Sequence, residues 1–578
     1  MNRKGIALLF SVLCFTYGAP LAQQVTIDTL KPNHGVLGSS DTLHRFFQSS
    51  NGIFPGLDGY FPSLVNPFLR YMPMGSFIHP TIVRPNTPRY TSLPYVGFAY
   101  VFGSHGSQHI QLSYDQTFRG GWIFNASMQS HAGGGMIRNN FWRYRNVNSG
   151  LYHQGKRNAF ALSIQAVSDR RPFSLGLQQP VLANDFTIDL LPVRKDSCRS
   201  DGMLKTLTVS NAFRFSKDSL HPFRLNHVSA LSSRTRNYVE LDTLAGWYPL
   251  IQFDSLHTAD RYEYVVMQHH LGISYDKGPL TVFSGPTYRY WRARFNGLQS
   301  DSSEVGVNFG FVWHQNRWNV KGFYEKNLFG AFGEQRANLE VHQLLDSLKH
   351  WGGAFSFGQV APDVFQRWYS GNTVSYQLNN PKTQTYFALN VSLTGLRDAW
   401  RYRIYLQGLQ TQGVYQFDGS TWNNQVSGSQ CTLAGLGGEL DFMVKGFRVR
   451  PGVLCMLDRE NRFPLTKIDL LLNKTFIVKK PKNLQLFSTL AMSYMSGFSP
   501  LGIHPVVSAF DFSMVGSNRT KGYLSVVTLF GFKVQTFRFF LTGTNLGYFF
   551  QPNANELFQN YPLPPWQLKV GITWDFWN

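Results

Sequence analysis

Cysteine is scarce in this chain of 578 residues, with 4 in all. Cys14 falls in the leader described below, which leaves Cys198, Cys431 and Cys455, an odd number at wide spacing. That excludes a disulfide framework, and no spacing among them suits a metal-ligand set. Cys431 and Cys455 either bond to each other or stand as small apolar residues in adjacent strands; the second is the simpler expectation. Acidic residues are also few: 33 Asp and Glu against 54 Lys and Arg give a formal charge of +21. After the leader no apolar run reaches the roughly 20 residues of a transmembrane helix. Enzyme motifs are missing as well. There is no His-Glu-x-x-His, Cys-x-x-Cys, Gly-x-Ser-x-Gly or phosphate-cradling Gly-Lys-Ser/Thr loop, so no catalytic residue, metal site or cofactor is expected.

What is present begins with export. Arg3 and Lys4 precede an apolar run from Ile6 to Tyr17, and Ala19-Pro20-Leu21-Ala22 offers a cleavage site before Gln23. This order predicts a signal peptide over 1–22. Leu13 before Cys14 argues against lipid attachment there. Export removes nucleic acid as a partner. The positive charge is then left for lipopolysaccharide phosphates outside a membrane protein, or for anionic solutes inside it.

Aromatic residues make up 15% of the chain and Gly numbers 52, yet mean hydropathy is only −0.20. A barrel that alternates apolar-out with polar-in hides membrane insertion from such averages. The C-terminus shows the alternation best. Trp566, Leu568, Val570, Ile572, Trp574 and Phe576 alternate with Gln567, Lys569, Gly571, Thr573 and Asp575, about the length a tilted strand needs to cross a membrane. The first set is expected to face lipid. Similar period-2 runs cover Ile110–Tyr114, Trp122–Met128, Val305–Trp313, Trp318–Gly322 and Phe387–Leu393, whereas a helix would repeat at i, i+3, i+4. A soluble sandwich also alternates, but it favours Val, Ile and Leu on its inner faces. Here Trp, Phe and Tyr crowd the strand ends, and a sheet closed on itself leaves no edge. The expectation is all-β: a transmembrane antiparallel barrel over 95–578 with about sixteen to eighteen strands, fourteen to twenty being allowed.

Residues 23–94 read differently. Pro55, Pro62, Pro67, Pro73, Pro80, Pro85, Pro88 and Pro94 forbid a central strand or long helix. Interleaved Phe46, Phe47, Phe54, Tyr60, Phe61, Phe68 and Tyr71 suggest a short irregular segment that packs as a small plug. Long polar connections are expected at Pro180–Gly202, Asn296–Ser303 and Asp418–Ser429, and a short loop helix at Val341–Trp351.

Several short motifs, in order, carry a likeness. They are Asp41–Phe47, Pro88–Leu93, Gln108–Phe118, Trp122–Met128, Ser149-Gly150-Leu151-Tyr152-His153-Gln154 and Trp368-Tyr369-Ser370-Gly371-Asn372. Together the chain resembles the putative-porin family of Bacteroidota outer-membrane β-barrels. The resemblance implies an integral outer-membrane location and channel activity by architecture, with no functional residues to carry over. The aromatic-ended last strand is similar to the signal read by the barrel-assembly machinery, an implied partner alongside outer-membrane lipid, lipopolysaccharide and small solutes.

Cations alternate with the apolar face. Arg401 and Arg403 oppose Ile404 and Leu406; Arg448 and Arg450 oppose Phe447 and Val449; Arg214, Lys321, Arg538 and Lys569 do likewise. A cation toward lipid at mid-membrane costs about 2–4 kcal/mol, so these eight are expected to line the pore. The leading expectation is a porin-like channel for passive diffusion of small polar, mainly anionic, solutes. One alternative is a plugged transporter of a hydrophobic compound, analogous to long-chain fatty-acid transporters. Val25–Asp28 faintly resembles the coupling box of energy-coupled receptors, but 23–94 is too short for their plug. The less favoured alternative is an enzyme. His227 and Ser229, followed by Arg234, Arg236 and Asn237, are similar to the His-x-Ser…Asn arrangement of outer-membrane phospholipases.

Overall fold

The structure is a computed structural model. It describes residues 28–29 and 89–577, leaving out 134–140, 156, 173–176, 179–190, 216–222, 243–247, 249–250, 331–333, 347, 363, 379–380, 398–399, 414, 418–420, 424–430, 459–464, 479–483, 500, 505, 507–508, 516–520, 551–555, 559–560 and 563–565. The signal peptide, the coupling-box likeness at Val25–Ile27 and nearly all of 23–94 lie outside the described residues. Asp28–Thr29 pairs in parallel with Arg89–Tyr90.

Period-2 alternation becomes a closed antiparallel barrel of 22 strands. They are β1 (Tyr95–Gly103), β2 (Ser107–Phe118), β3 (Trp122–Gly133), β4 (Trp142–Gln154), β5 (Asn158–Pro172), β6 (Cys198–Arg214), β7 (Phe223–Glu240) and β8 (Thr258–Lys277). The wall continues through β9 (Leu280–Phe295), β10 (Leu298–Gln315), β11 (Trp318–Phe329), β12 (Gln335–Leu344), β13 (Lys349–Val360), β14 (Gln384–Arg397) and β15 (Trp400–Gln412). It ends with β16 (Cys431–Val444), β17 (Phe447–Asp458), β18 (Thr466–Ile477), β19 (Leu484–Met495), β20 (Tyr523–Val534), β21 (Phe537–Thr544) and β22 (Gln567–Trp577). Sequential neighbours pair all the way round, and β1 closes on β22 from Tyr95↔Trp577 to Gly103↔Lys569.

Twenty-two exceeds the sixteen to eighteen strands expected, for a physical reason. Many inward positions on β15 to β21 are apolar, so both faces read alike and the alternation fades. Connections were also misplaced. Asn296 and Gly297, both at positive φ, make a two-residue hairpin turn of the primed kind, and Leu298–Ser303 is strand rather than loop. Val341–Trp351 shows no helix among its described residues: β12 ends at Leu344 and β13 begins at Lys349, and the helix-like spacing of Leu344, Leu345 and Leu348 comes from a hairpin tip. Cys198–Gly202 already belongs to β6. Cys431 and Cys455 do lie on adjacent strands, but Cys455 pairs with Leu436. The five-residue offset, at about 3.3 Å per residue, is too far for a bond, and Cys455 is free.

The two ends differ. Near Tyr95 and Trp577 most turns are tight, as at 278–279, 316–317, 445–446 and 535–536, while the other end carries 173–197, 241–257, 361–383, 413–430, 496–522 and 545–566. Short turns mark the periplasmic side and long loops the extracellular side. The periplasmic rim bears an outward aromatic girdle: Trp122 stacks on His153 at 4.5 Å, Trp400 on Phe442 at 4.6 Å, and Trp318 meets Trp351 at 6.1 Å. Lys474 lies over the ring of Phe447 at 4.0 Å, its ammonium snorkelling to the interface. Leu436 and Phe530, each 59% exposed, typify the lipid face between the rims.

Candidate pore and its extracellular cap

On β22 the outward set Leu568, Val570, Ile572, Trp574 and Phe576 shares the exposed face, with Trp566 just before the strand, whereas Lys569, Gly571, Thr573 and Asp575 point inward and are buried. The same parity puts all eight cations on inner faces. Their surroundings differ. Arg448 grips Asp441 with two nitrogens, at 2.8 and 2.6 Å, and Arg450 reaches the same carboxylate at 3.1 Å. Arg401 stands opposite Asp441 and Arg403 opposite Glu439, with Arg403 5.3 Å over the Tyr405 ring. So β15 to β17 set four arginines against two acids. Lys321 lies 3.8 Å from Glu340 on the next strand. Arg214 sits at the periplasmic rim opposite Arg224, which pairs with Asp276 at 2.6 Å. Arg538 and Lys569 are only 5% and 1% exposed. These two are packed into the inner wall near β1, where Tyr95 donates to Asp575 at 2.8 Å, rather than standing on an open surface.

The inner wall also carries an apolar stripe that alternation hid. Leu409, Leu433 and Met456 form one buried group, Leu471, Ala491 and Val527 a second, and Val101, Phe487, Leu529 and Phe540 a third. All of these point away from the lipid face. Glycine makes room for the large rings: a Cβ at Gly571 would collide with the Phe540 ring, and one at Gly437 with Tyr405.

The strongest built feature lies at the extracellular mouth. Inward aromatics on the upper parts of β7, β8 and β9 (Tyr238, Tyr262, Trp291 and Phe295) meet side chains from loop 361–383. That loop holds the short helix Val364–Arg367 and the hairpin Trp368–Ser370/Ser375–Gln377. Phe365 packs 5.5 Å from Tyr262, Trp368 4.6 Å from Phe295 and Arg367 5.6 Å over Trp291. Tyr415, Phe417 and Val506, from two further loops, join the same core.

Polar contacts fix this cap in register. Asp260 accepts from the Asn372 backbone N–H and from Asn296 Nδ2, both at 3.0 Å, and from the Tyr369 hydroxyl at 3.1 Å. Burial, then the adjacent Asp260 carboxylate, pushes the Tyr369 phenol well above its usual value. The Asn372 side chain crosses to loop 241–257. Its Oδ1 accepts from the N–H groups of Phe253 and Asp254, at 2.7 and 3.0 Å. Its Nδ2 donates to the Asp254 and His257 carbonyls and to Thr258 Oγ1, at 2.7, 3.1 and 2.9 Å. A Cβ at Gly371 would collide with Asp260 Oδ2, so the loop needs glycine there. Glu334 accepts from Ala361 N–H at 3.1 Å and pairs with Arg289, which also pairs with Glu304. On the β6–β7 side, Lys195 and Glu240 form a fully buried ion pair at 2.7 Å, and the Tyr238 and Tyr248 hydroxyls each donate to Glu240 at 2.7 Å.

Sequence reasoning did not find Asp260, Asn372, Glu334 or Glu240 as members of one arrangement. Its one pointer was the Trp368–Asn372 motif, which supplies three of the cap's anchors. The His-x-Ser segment does face lipid. However, register sets His227 against Asn211 and Leu271, and Ser229 against Val209 and His269. Asn237 lies eight residues along the strand from Ser229, too far to orient His227, and Arg234 and Arg236 point inward. Arg236 donates to Ser200 at 2.7 Å.

A family profile described as "Putative porin" matches residues 182–578. No curated protein matches the chain. Among solved structures, the FrpB iron transporter of Neisseria meningitidis aligns with a TM-score of 0.60 at 8% identity, covering 84% of this chain and 82% of that one. The siderophore receptor PirA of Acinetobacter baumannii gives 0.59 at 11%, with 85% and 81% covered. The ferric-catecholate import receptor Fiu of E. coli gives 0.58 at 11%, with 85% and 83% covered. At such identities the likeness is one of fold.

Proposed function

We propose, from the premise that this chain belongs to the putative-porin family, that it is an outer-membrane transport barrel whose own extracellular loops form a gate. The observation that carries this is the cap: Asn372 joins loop 361–383 to loop 241–257 over an aromatic floor. A permanently open sieve has no need of loops held by such contacts against the inner faces of β7 to β9. The solute class is small and anionic. Arg401, Arg403, Arg448 and Arg450 outnumber Asp441 and Glu439, and the resulting field raises the local concentration of anions. The solved neighbours named above, an iron transporter, a siderophore receptor and an import receptor, share the barrel fold and say nothing of cargo here. A second reading, carriage of an apolar compound, is favoured by the stripe from Leu409 to Phe540.

Recordings in planar bilayers test the proposal. The wild-type barrel is expected to open rarely and to prefer anions when it does. Asn372→Ala is expected to raise open probability about tenfold, the effect of roughly 1.4 kcal/mol on a two-state gate. A steady wild-type conductance that Asn372→Ala leaves unchanged would overturn the gate. Openings without anion preference would shift the cargo to the apolar reading.

A further inference from the structure

The outer face of the barrel is unevenly charged. Parity assigns the outward residue at every other position. On β12 to β22 and on β1 to β3 the outward positions of the extracellular half, among the described residues, are uncharged. On β4 to β11 the same height carries Arg143, Arg145, Arg170, Arg199, Lys205, Arg261, Arg292, Arg294 and Lys326. Acids nearby are Asp201, which pairs with Arg170 at 2.8 Å and Arg199 at 3.3 Å, Glu263, which pairs with Arg261, and Asp301, opposite Arg292. Toward β4 the acids run out. Arg143 stands opposite Ala132 and Arg170, Arg145 opposite Ser130 and Ser168, and Lys205 opposite Ala166 and Ser233.

Depth decides what this arc can meet. A tilted strand crosses the apolar band in about 9–11 residues. Counting from the periplasmic ends of their strands, Lys205 stands nine positions from Arg214, Arg145 nine from Gln154, Arg143 eleven from Gln154 and Arg170 twelve from Asn158. These cations therefore emerge where hydrocarbon gives way to outer-leaflet head groups. Just below them the outward residues are apolar: Ile164, Leu207 and Leu231, at 52, 40 and 45% exposure. An apolar wall under a ledge of cations complements a lipid whose head group carries phosphate. Cations placed for water alone would have no reason to be confined to one arc at this height.

We propose that Arg143, Arg145, Arg170 and Lys205 hold the phosphates of one outer-leaflet glycolipid, the lipid A part of lipopolysaccharide, against β4 to β6. Two adjacent arginines offer forked donors suited to phosphate, and acyl chains lie along Ile164 and Leu207. The site does not depend on what crosses the lumen.

The test uses the full barrel, purified in detergent and titrated with diphosphorylated lipid A, with binding read by native mass spectrometry. Wild type is expected to retain lipid A at least tenfold better than a dephosphorylated form of the same glycolipid. The Arg145→Gln/Lys205→Gln pair is expected to lose that preference, while Arg401→Gln/Arg403→Gln in the lumen keeps it. Heat-shifted migration on gels reports that each variant is folded. Should the outer-face pair fail to fold, the wild type alone decides by its salt dependence. Retention that falls tenfold between low and high salt supports the site. Equal retention of both glycolipids, or preference surviving in the folded pair variant, overturns it.

Discussion

Asn372 rests on Asp260: the backbone N–H of one donates to the carboxylate of the other at 3.0 Å, across 112 residues of chain. The side chain of the same asparagine makes five further bonds to residues 253–258. Replacing it with alanine leaves buried N–H and C=O groups without partners, at about 1–3 kcal/mol for each that stays dry. Asn372→Ala is expected to open both loops to limited proteolysis while the strand core keeps its heat-resistant migration. Gly371→Val should do the same through its clash with Asp260. Loops as resistant as wild type would mean the aromatic floor alone holds the cap.

A second expectation concerns charge balance at β15 to β17. Changing Arg401, Arg403, Arg448 and Arg450 to Gln should move the reversal potential in a salt gradient toward neutrality. Asp441→Asn removes the acid that Arg448 and Arg450 share and should strengthen anion preference. Both effects should shrink as salt rises, since the Debye length is only about 10 Å at 0.1 M. A cation-selective wild type would refute this assignment.

The lipid face of β22 can be probed by depth. Ile572→Arg places a cation near mid-membrane at about 2–4 kcal/mol, and Trp574→Arg, near the girdle, about 0–1. Outer-membrane accumulation should fall in that order, while Arg403→Gln on an inner face leaves it unchanged. Equal loss from Ile572→Arg and Arg403→Gln would reverse the parity.

Lys195 and Glu240 offer a test at the rim. Lys195→Met leaves a buried carboxylate with two tyrosine donors and no counter-charge, a change that typically costs about 3–5 kcal/mol. Lys195→Met/Glu240→Gln should recover much of the loss. Urea unfolding followed by tryptophan fluorescence measures both, and a single variant as stable as wild type would contradict the pairing.

How far could the residues alone lead? Parity on β22, β15 and β17 was readable because lipid and lumen impose opposite chemistry on alternate positions there. It blurred where both faces are apolar, as at Leu433 beside Leu436 or Leu529 beside Phe530, and the strand count came out low. Asn296-Gly297 carried its turn chemistry openly, yet the polar residues after it masked a strand rising above the membrane. The cap was not legible. Asp260 reads as an ordinary rim acid until the fold brings Asn296, Tyr369 and Asn372 to it, contacts separated by 36 to 112 residues. Register places the eight cations on inner faces, but sequence could not separate Arg448, gripping an acid, from Lys569, packed beside Gly103.

The one-sided distribution of loops also bears on assembly. Segments such as 361–383 and 496–522 begin in the periplasm and must travel through the bilayer before their flanking strands can pair, whereas the β9–β10 hairpin carries only Asn296 and Gly297 across. Transit of polar backbone through hydrocarbon is slow because its N–H and C=O groups have no water there. The β9–β10 hairpin should therefore be inserted early and β19–β20 late. Shortening 496–522 should quicken the appearance of the folded barrel without altering its final stability.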